Sequence, residues 1–182
     1  MILTLASGSP QRRAILERLG IEFEVVVSDV EELGEGEPRE VVVENALRKA
    51  RAVEGELVLG ADTEVVLDGR VFGKPRDEDE ARTFLGDLSG RTHEVLTAVA
   101  LIEDGAERTA VASTAVTFRE LGEPLLRWYL ASGEWRDRAG AYAIQGRGAA
   151  LVARIDGDYL NVVGLPVATL LDLKPFLPLR NP

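Results

Sequence analysis

Two adjacent arginines at a helix start are the first sign of chemistry in this chain. In LASGSPQRRAIL, residues Leu5 to Leu16, a short apolar run gives way to Ser7, Gly8 and Ser9, and Pro10 then opens a helix whose first turn carries Gln11, Arg12 and Arg13. The start of a helix bears partial positive charge and free N–H groups, so arginines are out of place there unless an anion is to be bound. A strand, a small-residue loop and a proline-started helix together aim backbone donors at one spot, which is how phosphate is commonly held. Arg12 has Gly8 and Leu16 one turn away and so no local carboxylate. Arg13 has Glu17 four residues on, and a surface ion pair explains it as well as a phosphate does. Ser7 and Ser9 are open between ligand and cap, with the cap the simpler role for Ser9.

Further along, charged residues interrupt apolar patterns. In PREVVVENALRKARAV the residues Val42, Ala46, Lys49 and Val53 share one stripe at helical spacing, so Lys49 stands where an apolar side chain belongs. It either snorkels to the surface or keeps a compact cation in a groove for a specific anion. Asp62 interrupts LVLGADTEVVL, a run too apolar to be a solvated loop. A buried carboxylate is costly unless it meets a cation, a metal or a hydrogen-bond network, which leaves a capping role, a metal ligand or a general base. Gly60, just before it, permits a bulge or a close backbone approach. Lys74 lies in FGKPRDED, which is not a phosphate-binding P-loop, because Pro75 stands where Ser or Thr would hold magnesium and the required glycine offset is missing. VSDVEE supplies Asp29, Glu31 and Glu32 as a carboxylate arm suited to Mg²⁺ or Mn²⁺, although such clusters are often plain solvated faces. In AYAIQGRG the amide of Gln145 has the paired donor and acceptor needed to read a base edge. His93, the sole histidine, has no Ser or Cys partner at a telling spacing and receives no role. Lys174 reads as a charge at a helix terminus.

The elements that must position these residues follow from patterning over 182 residues, enough for one globular domain with a substantial core. ILTL is a strand, and a helix runs from Gln11 to Leu19 before Gly20. FEVVVS is a strand, and Pro38 opens a helix to about Val53. ELVLGADTEVVLDGRVF reads as two strands about Asp68-Gly69, DEDEARTFLGDL as a helix with an acidic start, and residues 92–121 as a long hairpin about Asp104-Gly105. A helix from about Pro124 to Ala131, strands around Asp156-Gly157, and a helix from Pro166 to about Leu173 complete the chain. Asp-Gly flanked by apolar alternation occurs three times, which rules out a purely parallel sheet. The expected fold is α/β: a mixed twisted sheet with flanking helices, in two lobes about a cleft.

Charge and composition narrow the partners. Lys and Arg number 21 against 31 Asp and Glu, a net charge of −10, and such a surface repels nucleic acid and anionic membranes. An anionic ligand therefore needs a local basic pocket. Only Lys49, Lys74 and Lys174 are lysines, the remaining cations being arginine, so two of the three lie at positions already singled out. The absence of cysteine excludes a disulfide framework and a thiolate metal site. The first residues lack the pattern of a secretion signal, and the apolar run Leu96–Ile102 is too short to span a bilayer. The expectation is a cytoplasmic protein.

Taken in order, LASGSPQRRAIL, VSDVEE, NALRKARAV, GADTEVVLDG, GKPRD, LSGRTHEVLTAVAL, AGAYAIQGRGA and IDGDYLNVVGLP resemble the Maf family of nucleotide pyrophosphatases over nearly the whole chain. The resemblance implies one domain over residues 1–182, a fold like that of the inosine triphosphatases, and hydrolysis of nucleoside triphosphates between the α and β phosphates with a divalent cation, Mg²⁺ or Mn²⁺. By position it implies Asp62 as the catalytic aspartate, Glu32 as a second acid with Asp62 at the metal, and Lys49 and Lys74 as the motif lysines. The second arginine of the family's SPRR falls on Arg12, while the first falls on Gln11, a departure, with Arg13 following as a further cation. Thr63 and Gln145, in GADT and AYAIQG, are similar to the branch acting on dTTP and UTP, and Gln11 lies among the specificity positions. The resemblance further implies a homodimer. It also leaves two alternatives: a nucleotide-sensing regulator of septum formation, or the same reaction on a modified purine such as 7-methyl-GTP.

Overall fold

A computed structural model of the protein describes residues 2–177. Seven strands form one sheet with the order β2-β1-β3-β5-β6-β7, and β4 pairs with β3. The strands are β1 Leu3–Leu5, β2 Phe23–Val25, β3 Leu57–Leu67, β4 Arg70–Phe72, β5 Thr92–Glu103, β6 Ala106–Phe118 and β7 Val152–Asp156. The helices are α1 Pro10–Arg18, α2 Pro38–Arg51, α3 Glu78–Leu88, α4 Glu123–Leu130, α5 Tyr159–Val163 and α6 Val167–Leu173. β1 runs parallel to both β2 and β3, whereas β3–β4 and β6–β7 are antiparallel. The fold is thus mixed α/β. Among the described residues no helix is long and apolar enough to cross a membrane.

The chain divides into two compact units, Met1–Asp62 with Thr97–Ala112 and Gly164–Pro182, and Thr63–Leu96 with Ser113–Val163. In the first, Leu3 and Leu5 of β1 face Leu57 and Leu59 of β3 in register, and all four are fully buried. Burial of that many aliphatic side chains, at roughly 1.5–3 kcal/mol each, is what fixes the two strands side by side. Ser9 caps α1 by accepting from the Arg12 backbone N–H at 3.4 Å, and Pro10 occupies the first turn, where a missing N–H costs nothing. α2 begins on Glu37, whose side chain accepts from the Glu40 N–H. It buries Val41, Val42, Ala46 and Ala50 against the sheet. Gly60 of β3 makes that packing possible: a β-carbon there would overlap the Ala46 carbonyl oxygen and lie 2.9 Å from the Ala50 nitrogen. Of the two roles open to Gly60 in the sequence, the close backbone approach is the one found.

The second unit has its own core, built from residues such as Val65, Phe72, Leu85, Leu88, Phe118, Tyr129 and Trp135. Asp77 caps α3 through the Glu80 N–H at 2.8 Å. Asp68-Gly69 and Asp104-Gly105 are both turns with positive φ at each residue, the geometry that suits the twist of a two-residue hairpin. The third Asp-Gly corrects the expectation. Asp156 ends β7, but among the described residues no strand follows; Asp158 instead caps the short helix α5 through the Leu160 N–H at 2.8 Å. The Thr114 hydroxyl explains the change, since it accepts from the Asp158 N–H and donates to the Asp158 carbonyl, both at 3.1 Å, and so pins the chain as it turns. Strand β2 is also shorter than FEVVVS, ending at Val25.

Candidate active site

Arg12 leaves α1 on its buried side, at 8% exposure, and donates from Nε to the Gly164 carbonyl at 2.8 Å and from Nη1 to the Ser7 hydroxyl at 3.1 Å. Ser7 also accepts from the Ser9 N–H at 3.2 Å, so the SGS loop is tied into one hydrogen-bonded knot. Burial holds the Arg12 guanidinium below its ordinary pKa range, and the charges of Asp62 and Glu32 act in the opposite sense. Arg12 is therefore a cation positioned by the fold near two carboxylates.

Lys49, Glu32 and Asp62 meet directly. The Lys49 Nζ lies 2.6 Å from Asp62 Oδ1 and 2.7 Å from Glu32 Oε1. Lys49 is 8% exposed and Asp62 5%, whereas the Glu32 side chain keeps 38% of its surface in solvent. The ammonium does not snorkel: the groove it occupies carries its own anions. Asp62 is reached because α2 is pressed onto β3 at Gly60, two residues before it. The other Asp62 oxygen, Oδ2, accepts from Asn45 Nδ2 at 3.3 Å. Two cations, Arg12 and Lys49, thus accompany two carboxylates, and the cluster is formally neutral. Each carboxylate oxygen of Asp62 has lone-pair capacity for more than a single hydrogen bond, so the carboxylate can still accept from water.

A metal can be tested against this donor set. Among the described residues no group of three or more His, Cys, Asp or Glu is arranged to hold an ion. Glu32 and Asp62 nevertheless bring hard oxygens to one cation, the Lys49 ammonium. Two carboxylates alone suit Mg²⁺, which usually keeps water ligands and takes substrate phosphate oxygens. The residues fit a divalent ion that completes its coordination with water and phosphate oxygens.

Arg13 is exposed and ion-paired with Glu17 at 2.8 Å, the surface pair that the spacing allowed. Gln11 is half-buried, and its Oε1 accepts from the Ser9 hydroxyl at 3.3 Å. Lys174 ends α6 and pairs with Glu103 at 2.6 Å. In the second unit, Lys74 is exposed, Thr63 is half-buried on β3, and Gln145 is half-buried before a 3-10 turn over Gly146–Ala150. That turn is fixed by Glu134, whose Oε2 accepts from the Arg147 N–H at 2.8 Å and the Gly148 N–H at 3.3 Å. Gly146, with φ of 64°, holds the left-handed backbone conformation that favours glycine there. His93 is buried, 2.8 Å from the Tyr142 hydroxyl, and desolvation pulls its pKa down to about 4. Asn45 and Glu134 are the residues that sequence reasoning passed over. Asn45 lay within a quoted motif, on the helix face that also carries Val41, Val42 and Lys49, but nothing local names its partners, and Glu134 carries no local signal, since its partners are 13 and 14 residues away.

The family model for Maf-like protein matches residues 2–174. The chain belongs to the Maf family. It is 53% identical over 171 residues to a dTTP/UTP pyrophosphatase of Symbiobacterium thermophilum, covering 91% of this chain and 88% of that protein. It is 50% identical to a dTTP/UTP pyrophosphatase of Bacillus cytotoxicus, covering 94% of each. A relative of the same description from Anaeromyxobacter is 52% identical over 178 residues, covering 94% of this chain and 87% of that protein. Among solved structures the fold is similar to the Staphylococcus aureus Ham1 protein, with 15% identity, a TM-score of 0.49, and coverage of 65% of this chain and 72% of that one. The Maf-family blocks that carry the buried cluster are LASGSPQRRAIL, VSDVEE, NALRKARAV and GADTEVVLDG.

Proposed function

We propose that this chain is a nucleoside triphosphate pyrophosphatase that converts dTTP and UTP to the monophosphate and diphosphate. The observation that carries the reading is the buried Asp62 carboxylate, held between Lys49 and Asn45 with the Glu32 carboxylate drawn to the same ammonium. A protein that only binds nucleotide gains nothing from a desolvated acid kept beside its cations, whereas hydrolysis needs one to accept a proton. The substrate assignment rests on the relatives named dTTP/UTP pyrophosphatase and on Thr63 and Gln145 at the positions where the resemblance places base selection.

Asp62 orients a water and takes its proton as the water oxygen bonds to the α phosphorus. The bond from that phosphorus to the bridging oxygen breaks, and the oxygen departs with the diphosphate. Arg12, Lys49 and Lys74 hold the triphosphate and offset the charge that gathers on the leaving group. Glu32 and Asp62 would hold Mg²⁺ or Mn²⁺, which supplies further neutralisation of the phosphates when bound. Ser7 and Ser9 keep the loop before α1 in shape for phosphate, and Gln11 accepts from the Ser9 hydroxyl beside that loop. Arg13 is a peripheral cation, already engaged by Glu17. Thr63 and Gln145 recognise the pyrimidine.

Diphosphate release from the purified protein, with Mg²⁺ or Mn²⁺, across dTTP, UTP, CTP, 7-methyl-GTP, ITP and the common purine triphosphates tests the reading. Fast release from dTTP and UTP, with monophosphate as coproduct, is the expected result. Binding of every nucleotide without turnover would instead identify a nucleotide sensor, and a preference for 7-methyl-GTP would move the substrate to a modified purine.

A further inference from the structure

Asn45 is 1% exposed, and both arms of its amide are committed. Its Oδ1 accepts from the Leu33 N–H at 2.7 Å, and its Nδ2 donates to the Leu33 carbonyl at 3.1 Å and to Asp62 Oδ2 at 3.3 Å. The orientation of the amide follows from its partners, since a flipped amide would turn its oxygen toward a carbonyl and a carboxylate. Leu33 lies in a segment without helix or strand, directly after Glu32. On the other side of Glu32, Arg48 Nη1 donates to the Glu31 carbonyl at 3.3 Å. Asn45, Arg48 and Lys49 are three and four residues apart on α2, so one helix face grips residues 31–33 at three points.

We infer that Asn45 is a positioning residue that couples the Glu32 segment to the Asp62 carboxylate, setting the plane of one acid and the reach of the other. This rests on the assignment of Asp62 as the water-activating acid. An ordinary core asparagine satisfies its own polar atoms; this one spends both donors and its acceptor on the two elements that carry the acids. The consequence is a defect in the chemical step rather than in nucleotide affinity, because the Arg12 guanidinium is anchored by the Gly164 carbonyl and the Ser7 hydroxyl.

The test compares Asn45→Ala, which removes both arms, with Asn45→Asp, which keeps an acceptor for the Leu33 N–H but loses both donors. Amide exchange is measured without nucleotide or metal, kcat and KM are measured with dTTP, and circular dichroism gives the folded fraction. In the unaltered protein the Leu33 amide should exchange roughly 10- to 100-fold more slowly than in an unstructured chain. Asn45→Ala should lose that protection and Asn45→Asp keep it, while both lose about 10- to 100-fold in kcat at nearly constant KM, the usual scale for an outer-sphere partner. An unprotected Leu33 amide in the unaltered protein, unchanged kcat in both variants, or a loss that merely follows the unfolded fraction overturns the inference. Full turnover in Asp62→Asn, alongside the expected exchange pattern, would place the failure in the assignment of the acid and not in the anchor. If Asn45→Ala does not fold, the unaltered protein and Asn45→Asp decide the matter.

Discussion

Replacing Lys49 by Met should destabilise the protein far more than the loss of a surface charge, and the structure allows the amount to be worked out. Lys49 is the cation of two carboxylates, at 2.6 Å from Asp62 and 2.7 Å from Glu32. With its cation gone, Glu32 can turn into solvent, since its side chain is already 38% exposed, and its share of the cost is small. Asp62, at 5% exposure, cannot, and removing one partner of such a buried pair costs about 3–5 kcal/mol. Asn45 still donates to Asp62 Oδ2, which favours the low end of that range. The expected loss is therefore about 3 kcal/mol, or roughly 6–12 °C in Tm for a domain of this size. Urea unfolding followed by circular dichroism measures it. Trp128 and Trp135 both belong to the second unit, so tryptophan fluorescence recorded in parallel reports that unit alone. The double variant Lys49→Met with Asp62→Asn removes one cation and one carboxylate together, leaving Arg12 with Glu32, and should recover at least half of the loss. A single variant that loses under about 1 kcal/mol, or a double variant no more stable than the single, would refute the view that Lys49 neutralises Asp62.

Other consequences can be checked separately. Asp62→Asn should lower kcat by roughly 10²–10⁴-fold while dTTP still binds, measured by diphosphate release and by titration calorimetry. Gly60→Ala should cost about 3 kcal/mol, seen as a lowered urea midpoint, because its β-carbon must displace the Ala46 carbonyl. The pKa of His93, held near 4 by desolvation, lies below its value of 6.5 in an unfolded chain, so below pH 6.5 the unfolded state binds the proton that the folded state refuses. Stability should thus be unaffected by this group above about pH 6.5 and fall by about 3 kcal/mol in total as the pH drops to about 4. His93→Gln should flatten that decline in urea titrations, and an identical slope in both proteins would contradict the cause. Glu134→Ala should raise KM for dTTP several-fold more than it lowers kcat, with Tm nearly unchanged, since it loosens the turn after Gln145.

Much of the local structure could be read directly from the residues. Pro10 and Pro38 mark the two helix starts, Asp68-Gly69 and Asp104-Gly105 the hairpins, and alternating strand and helix signals the mixed sheet, because these depend on backbone preferences within a few residues. Lys49 and Asp62 were visible as charges out of place in apolar patterns, which is a local signal of a nonlocal requirement. What the pattern could not say was that each is the other's reason. Their meeting depends on α2 lying flat on β3 at Gly60, a contact between residues 10 to 14 apart in sequence. The third Asp-Gly pair turned the chain into α5 instead of a hairpin because Thr114, more than 40 residues earlier, held Asp158 by both backbone groups. Asn45 was silent in sequence for a similar reason: an asparagine on a helix has no fixed partner until the fold delivers one, here Leu33 on one side and Asp62 on the other. Residue type set what each group could do, and only packing decided which groups would do it together, because burial turns a modest attraction in water into an obligatory pairing.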